Sequence, residues 1–185
     1  MHKIFNKKQI LTIPNMLSFF RLALVPLILW VYVGLKDYIL AIILIAVSGL
    51  TDVVDGKIAR HFNMVSDFGK ILDPIADKVT QGCLIICLTT KFKLMIPLIL
   101  LFVVKEGIMF LMGYLVYKRK DSVNSSKWHG KLTTVLLYSV TVLLIMIPTI
   151  PETVANIMII ACGGMIIFSL IEYALFYKSI LKSEE

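Results

Sequence analysis

Charge is scarce in this chain. Asp, Glu, Lys and Arg make up 17% of its 185 residues, against about 25% in a soluble domain. Apolar residues fill the gap, at 58% where about 45–50% is usual, and mean hydropathy is +0.88. The excess gathers in runs of roughly 18–25 residues, enough to cross about 30 Å of hydrocarbon. That excludes a soluble globular domain and indicates an integral membrane protein with one compact, all-α domain. Cysteine is scarce too. Cys83, Cys87 and Cys162 all sit inside apolar runs, which excludes a disulfide framework and reads as small hydrophobic filler. No strand period, internal repeat or low-complexity segment is present. The opening "MHKIFNKKQILTIPN" lacks the short apolar core of a secretory signal.

The polar residues are placed by position. Lys3, Lys7 and Lys8 alternate with Ile4, Phe5, Ile10 and Leu11, so residues 1–13 read as an amphipathic segment lying on the bilayer surface. Six spans follow at about 15–34, 38–60, 69–90, 94–117, 131–148 and 152–176, within a membrane domain over 14–178 and before a cytosolic tail over 179–185. Six spans put Lys57, Arg60, Lys70, Lys118, Arg119, Lys120, Lys127, Lys131 and Lys178 on the side of the two termini, and only Lys36, Lys91 and Lys93 on the other. The positive-inside bias makes the first side cytosolic, in a cell (inner or plasma) membrane. The net charge of +7 is therefore a membrane-orientation signal, and no nucleic acid is expected as a partner.

Against this background "DVVDGKIARHFNMVSDFGKILDPIADK", Asp52 to Lys78, stands out. At about 100° per residue, Asp52, Asp55, Gly56 and Ala59 share a face of the second span. Asp73 and Asp77 share a face of the third, one turn after Gly69. The connection is short, so the two helices are antiparallel neighbours and both carboxylate pairs can converge. Uncompensated carboxylates at a membrane boundary repel and resist burial. Hard oxygen donors without His or Cys suit Mg²⁺, Mn²⁺ or Ca²⁺, and two divalent ions balance four negative charges. His61 and His129 carry no role in this reading. Gly56, Ala59 and Gly69 leave a cleft for a flat ligand, and Arg60 offers a fork of donors to a phosphate. Small residues that only let helices pack, with solvated charges at their ends, are the plainer reading of any one pair. The whole set together describes a diphosphate site.

The same residues resemble the signature of the CDP-alcohol phosphotransferases, D-x2-D-G-x2-A-R-x8-G-x3-D-x3-D, at every fixed position: Asp52, Asp55, Gly56, Ala59, Arg60, Gly69, Asp73 and Asp77. The resemblance implies a six-helix membrane enzyme, commonly a homodimer, that displaces CMP from a CDP-linked lipid by an alcohol. It implies two cations, Mg²⁺ or Mn²⁺, on Asp52, Asp55, Asp73 and Asp77, with Asp77 as general base. Gly56, Ala59, Arg60, Ser66 and Gly69 then line the CDP-lipid, which is CDP-diacylglycerol. Physical chemistry agrees with this assignment. Acyl chains stay in lipid while the diphosphate meets the carboxylates at the headgroup boundary, and the activated donor needs no ATP-binding loop.

The acceptor is read from elsewhere. "IPNMLSFFRLALVPLI" resembles the first span of phosphatidylglycerophosphate synthases, through Asn15, Ser18, Arg21 and Pro26. "SSKWHGKLTTVLL" and "IEYALFY" resemble their fifth and sixth spans, through Gly130, Lys131, Thr134, Glu172 and Tyr173, although Thr133 stands where they carry a second Lys. Their fourth span carries an Arg–Glu pair and a later Arg; here Lys105 and Glu106 stand in for the pair, and the later Arg is absent unless Lys118 or Arg119 substitutes. The expected acceptor is sn-glycerol 3-phosphate, held by Asn15, Arg21, Lys105, Arg119 and Lys131. The alternative is phosphatidylglycerol, as in cardiolipin synthases of the same type. Arg21 lies inside the first span, where a buried arginine must face a partner or a polar cavity. Two readings of other classes fit less well. Membrane prenyltransferases use Asp-rich motifs of different spacing, and cation transporters hold their carboxylates near the bilayer midplane.

Overall fold

The computed structural model describes residues 12–61, 66, 68–120 and 128–182. Among them the chain is helical from end to end, in six helices. They are α1 (Ile13–Leu29), extended by a π-helical turn (Trp30–Leu35), then α2 (Tyr38–His61), α3 (Gly69–Thr89), α4 (Met95–Lys120), α5 (Trp128–Met146) and α6 (Glu152–Lys182). The amphipathic segment expected over 1–13 falls, apart from Thr12 and Ile13, outside the described residues.

Four stretches are long and apolar enough to cross a bilayer: Ile13–Leu35, Tyr38–Ile58, Met95–Met112 and Glu152–Phe176. Six equivalent spans were expected, and two helices depart from that. The apolar part of α5, Gly130–Met146, is shorter. In α3, any stretch long enough to span contains Asp73, Asp77 and Lys78. The burial pattern is that of a membrane protein turned outward. Ile39, Leu50, Leu100 and Phe110 are exposed, while Asn15, Ser18, Arg21, Thr80, Gln81, Lys105 and Ser169 are buried. In hydrocarbon, polar side chains gain by facing inward.

The helices group into two compact units, 1–87 and 88–185. In the first, α1 packs on α2. Thr12 occupies the N-cap of α1 and Pro14 its first turn, where the missing amide proton costs nothing. The buried residues Pro14, Asn15, Ser18, Arg21, Leu24, Val25 and Ile28 recur every three or four positions, so α1 turns one continuous face inward. The π turn ends at Lys36, whose left-handed φ of 55° is usual for a helix C-terminus though more often taken by glycine. Asp37 Oδ1 then accepts the Leu40 amide at 3.0 Å and caps α2. Farther along, the Cys83 thiol on α3 meets the Val25 carbonyl of α1 at 3.7 Å.

In the second unit α4 and α5 both pack on α6. Two glycines allow close approach. A Cβ on Gly163 would touch Leu98 at 3.7 Å, and one on Gly130 would run into the Tyr173 ring. Thr133 Oγ1 donates to the Met165 carbonyl at 3.4 Å. The Lys91 ammonium donates to the Pro148 carbonyl, tying the turn before α4 to the turn before α6.

Candidate functional site

Three helices of the first unit converge on one arginine. Arg21 is the third polar residue on the inward face of α1, after Asn15 and Ser18, at a spacing of three. It is only 2% exposed. Its Nη2 lies 2.6 Å from Asp52 Oδ1 and 2.6 Å from Asp55 Oδ2, both on α2. Its Nη1 pairs with Asp77 Oδ1 on α3. A planar guanidinium with five donors suits such convergence, where an ammonium would not. Asp55 is 5% exposed, whereas the side chains of Asp52 and Asp77 are each 48% exposed. One carboxylate is thus enclosed and two look outward.

Asp73, one turn before Asp77, is held separately. The Ser18 hydroxyl donates to Asp73 Oδ1 at 2.6 Å; the Pro14 carbonyl, at 3.1 Å, is the longer of its two contacts. Asp73 also lies within electrostatic reach of Asp55 and Asp77. The four aspartates singled out in the sequence therefore form one cluster. Among the ion pairs of the described residues one arginine serves three of these four carboxylates, so the ionised cluster keeps an excess of negative charge over that arginine.

The start of α3 is pinned to α1. The Asn15 amide and the Ser66 hydroxyl face each other at 3.0 and 3.2 Å. Ser66 Oγ also accepts the Gly69 amide at 2.9 Å, the N-cap geometry that satisfies an otherwise orphaned helix donor. Glycine suits this position, because a Cβ would come within 2.6 Å of Asn15 Oδ1 and 3.0 Å of Ser66 Oγ and would push those side chains aside. The space left by the missing side chain is taken by Asn15. Gly56 follows Asp55 on α2 and is partly exposed.

The donor set fits divalent cations. It is made of carboxylate and hydroxyl oxygens, which suit Mg²⁺ or Mn²⁺. Two carboxylate oxygens lie 2.6 Å from the same nitrogen, farther than the about 2.0–2.1 Å at which oxygen holds Mg²⁺, so they would draw in around such an ion. Among the described residues no three acidic, His or Cys side chains are grouped as a ready ligand cage; the guanidinium stands among the carboxylates.

The remaining residues named from the sequence are distributed as follows. Lys105 is 3% exposed and pairs with its neighbour Glu106 at 2.7 Å, on α4 of the second unit. Lys131 is exposed at the start of α5. The side chains of Ala59, Arg60 and Arg119 lie outside the described residues. Sequence reasoning left Ser18 out of the candidate site, although its place midway between Asn15 and Arg21 on one helix face was a usable signal.

A family model described as CDP-alcohol phosphatidyltransferase matches residues 11–170. A protein of Streptomyces coelicolor named cardiolipin synthase (CMP-forming) is 34% identical over 74% of this chain and 66% of its own length. A chloroplastic CDP-diacylglycerol–glycerol-3-phosphate 3-phosphatidyltransferase of Oryza sativa subsp. japonica is 39% identical over 67% of this chain and 36% of its own length. A protein of that same activity name from Aquifex aeolicus is 31% identical over 89% of this chain and 95% of its own length. The chain thus spans just under two thirds of the first relative, about a third of the second and nearly all of the third. The matched region takes in α1 with its arginine and both halves of the aspartate motif, and by that match the chain belongs to the CDP-alcohol phosphatidyltransferase family.

Proposed function

We propose that the chain transfers the phosphatidyl group of CDP-diacylglycerol to sn-glycerol 3-phosphate, giving phosphatidylglycerophosphate and CMP. The observation that carries this reading is the convergence of Asp52, Asp55 and Asp77 on one point beside Asp73, in a chain that a relative of that activity name matches along 95% of the relative's length.

Asp52, Asp55, Asp73 and Asp77 would hold two divalent cations, Mg²⁺ or Mn²⁺. When bound, such ions neutralise diphosphate charge and stabilise the departing CMP. Every other part falls to the chain itself. Asp77 is half-exposed, so an acceptor hydroxyl can reach it, and its carboxylate takes the hydroxyl proton as oxygen attacks phosphorus. Enclosed Asp55 and hydroxyl-bonded Asp73 keep the cluster fixed. Gly56, Ala59, Arg60, Ser66 and Gly69 follow the family motif as the lining of the CDP-lipid. Asn15 and Arg21 stand beside the carboxylates as acceptor-binding residues; Lys105, Arg119 and Lys131 belong to the second unit and enter the proposal on the acceptor's charge alone.

The arrangement in the membrane is part of the same proposal. Six spans over 14–178, an interfacial segment over 1–13, cytosolic termini and a cytosolic site in a cell membrane follow from the Lys/Arg asymmetry. A homodimer follows from the family resemblance.

The second reading, phosphatidylglycerol as acceptor, is favoured by the Streptomyces relative. An acceptor panel separates the two. Purified protein is given CDP-diacylglycerol and Mg²⁺ or Mn²⁺ with glycerol 3-phosphate, phosphatidylglycerol, inositol phosphate or serine. CMP release with glycerol 3-phosphate is the expected result; release with phosphatidylglycerol alone would transfer the chain to the second reading.

A further inference from the structure

The arginine among the carboxylates has a property that an acceptor-binding residue does not need. Three of its five donors are spent on Asp52, Asp55 and Asp77, which leaves one hydrogen on Nη1 and the one on Nε. Its Nε is buried and has no hydrogen-bond partner among the described residues. The guanidinium is thus held from one end only, and Nη2 lies as far from two carboxylate oxygens as a large divalent ion would.

We infer, resting on the metal-dependent reading above, that Arg21 is an internal counter-cation that trades places with a divalent ion. Nη2 stands between the Asp52 and Asp55 oxygens, and an ion that took both of those oxygens as ligands would have to take that position, so the two exclude one another there. The doubly charged ion is the better match to the cluster, so it takes the carboxylates and Arg21 gives them up. A buried arginine cannot then stay unpaired. It turns to another anion, and the phosphate of the acceptor is the anion this site admits. Cation binding thereby makes an acceptor contact that did not exist before it. The order is built in: ion first, anionic acceptor second. Without the ion, Arg21 keeps the helices of the first unit from splaying under carboxylate repulsion.

Mn²⁺ binding to the full-length protein in detergent tests this without any turnover. The signal of free Mn²⁺ in electron paramagnetic resonance is titrated with no CDP-lipid present. Arg21→Gln should bind Mn²⁺ at least ten-fold more tightly than the unaltered chain, and Arg21→Lys should fall between. Adding glycerol 3-phosphate should tighten Mn²⁺ binding in the unaltered chain by drawing Arg21 away, and leave Arg21→Gln unmoved. Equal or weaker Mn²⁺ binding by Arg21→Gln, with the unaltered chain still binding, overturns the exchange and leaves the metal reading intact. Equal tightening of both by glycerol 3-phosphate overturns it as well. No Mn²⁺ binding by any of the three sinks the metal reading, and the exchange with it. If melting shows Arg21→Gln to be unfolded, Arg21→Lys decides: an affinity equal to that of the unaltered chain refutes the exchange.

Discussion

The two units of this chain solve the problem of buried charge in opposite ways. In the first, Arg21 reaches carboxylates on two other helices, at 31, 34 and 56 residues' distance along the chain. In the second, buried Lys105 pairs with Glu106, its neighbour in sequence. The first pattern spends charge on joining helices, and it leaves an excess of negative charge that another cation can answer. The second sets opposite charges side by side on one helix. Its helices are joined instead by a hydroxyl on a carbonyl (Thr133 to Met165) and by close approach at Gly130 and Gly163.

The largest test of that contrast is removal of the cation. Thorough chelation should abolish CMP release from CDP-diacylglycerol, and added Mg²⁺ or Mn²⁺ should restore it. Full turnover after chelation would leave the carboxylate cluster a structural device only. Next comes the proton. Asp77→Asn keeps the size of the side chain but cannot accept a proton, so turnover should fall by roughly 10²–10⁴ while CDP-diacylglycerol still binds in the same preparation. Near-normal turnover would remove Asp77 from the role of base.

Two glycines compare the units directly. Gly69→Ala pushes into Asn15 and Gly130→Ala into Tyr173, and each should cost about 1–3 kcal/mol of stability, the usual range for overpacking, read from melting temperature. Only Gly69→Ala should also weaken Mn²⁺ binding, because only it displaces the start of the helix that carries Asp73. Equal effects on Mn²⁺ would erase the distinction. Ser18→Ala removes one hydrogen bond to a half-buried carboxylate. A loss of about 1 kcal/mol is expected, seen as several-fold weaker Mn²⁺ binding with the fold retained. The smallest effect belongs to the second unit. Lys105→Met should raise KM for glycerol 3-phosphate a few-fold and leave Mn²⁺ affinity unchanged. A changed Mn²⁺ affinity would show that the local pair is not local in its effect.

Hydropathy and punctuation made the helices legible. The spans read at 38–60 and 69–90 are α2 and α3 to within a residue, because Asp37 and Gly69 mark real starts. α5 begins earlier than expected, at Trp128, and α6 runs on to Lys182; both ends are polar, where apolar periodicity gives no guide. The carboxylate cluster was legible from the helical period, since Asp52, Asp55, Asp73 and Asp77 each have an identifiable face. What faces them was not. Period tells which side of α1 holds Asn15, Ser18 and Arg21, but it does not say that Asn15 meets Ser66, that Ser18 meets Asp73 or that Arg21 enters the cluster. Those pairings depend on how the helices pack, which one-dimensional spacing does not encode.

The polar first half of α3 carries a consequence for how the chain is made. Asp73, Asp77 and Lys78 all fall in the first half of that 21-residue helix, and charge on a spanning segment opposes insertion, at a cost that grows toward about 2.5–3.5 kcal/mol per residue at the helix centre. Under the six-span arrangement, α3 is a poor solo passenger for the translocation machinery. Its insertion is then expected to depend on α1, which presents Ser18 and Arg21 to its aspartates. The same arginine that organises the finished protein is then an assembly chaperone within the chain, and α3 supplied alone to an insertion assay should stay out of the bilayer where the α1–α3 segment goes in.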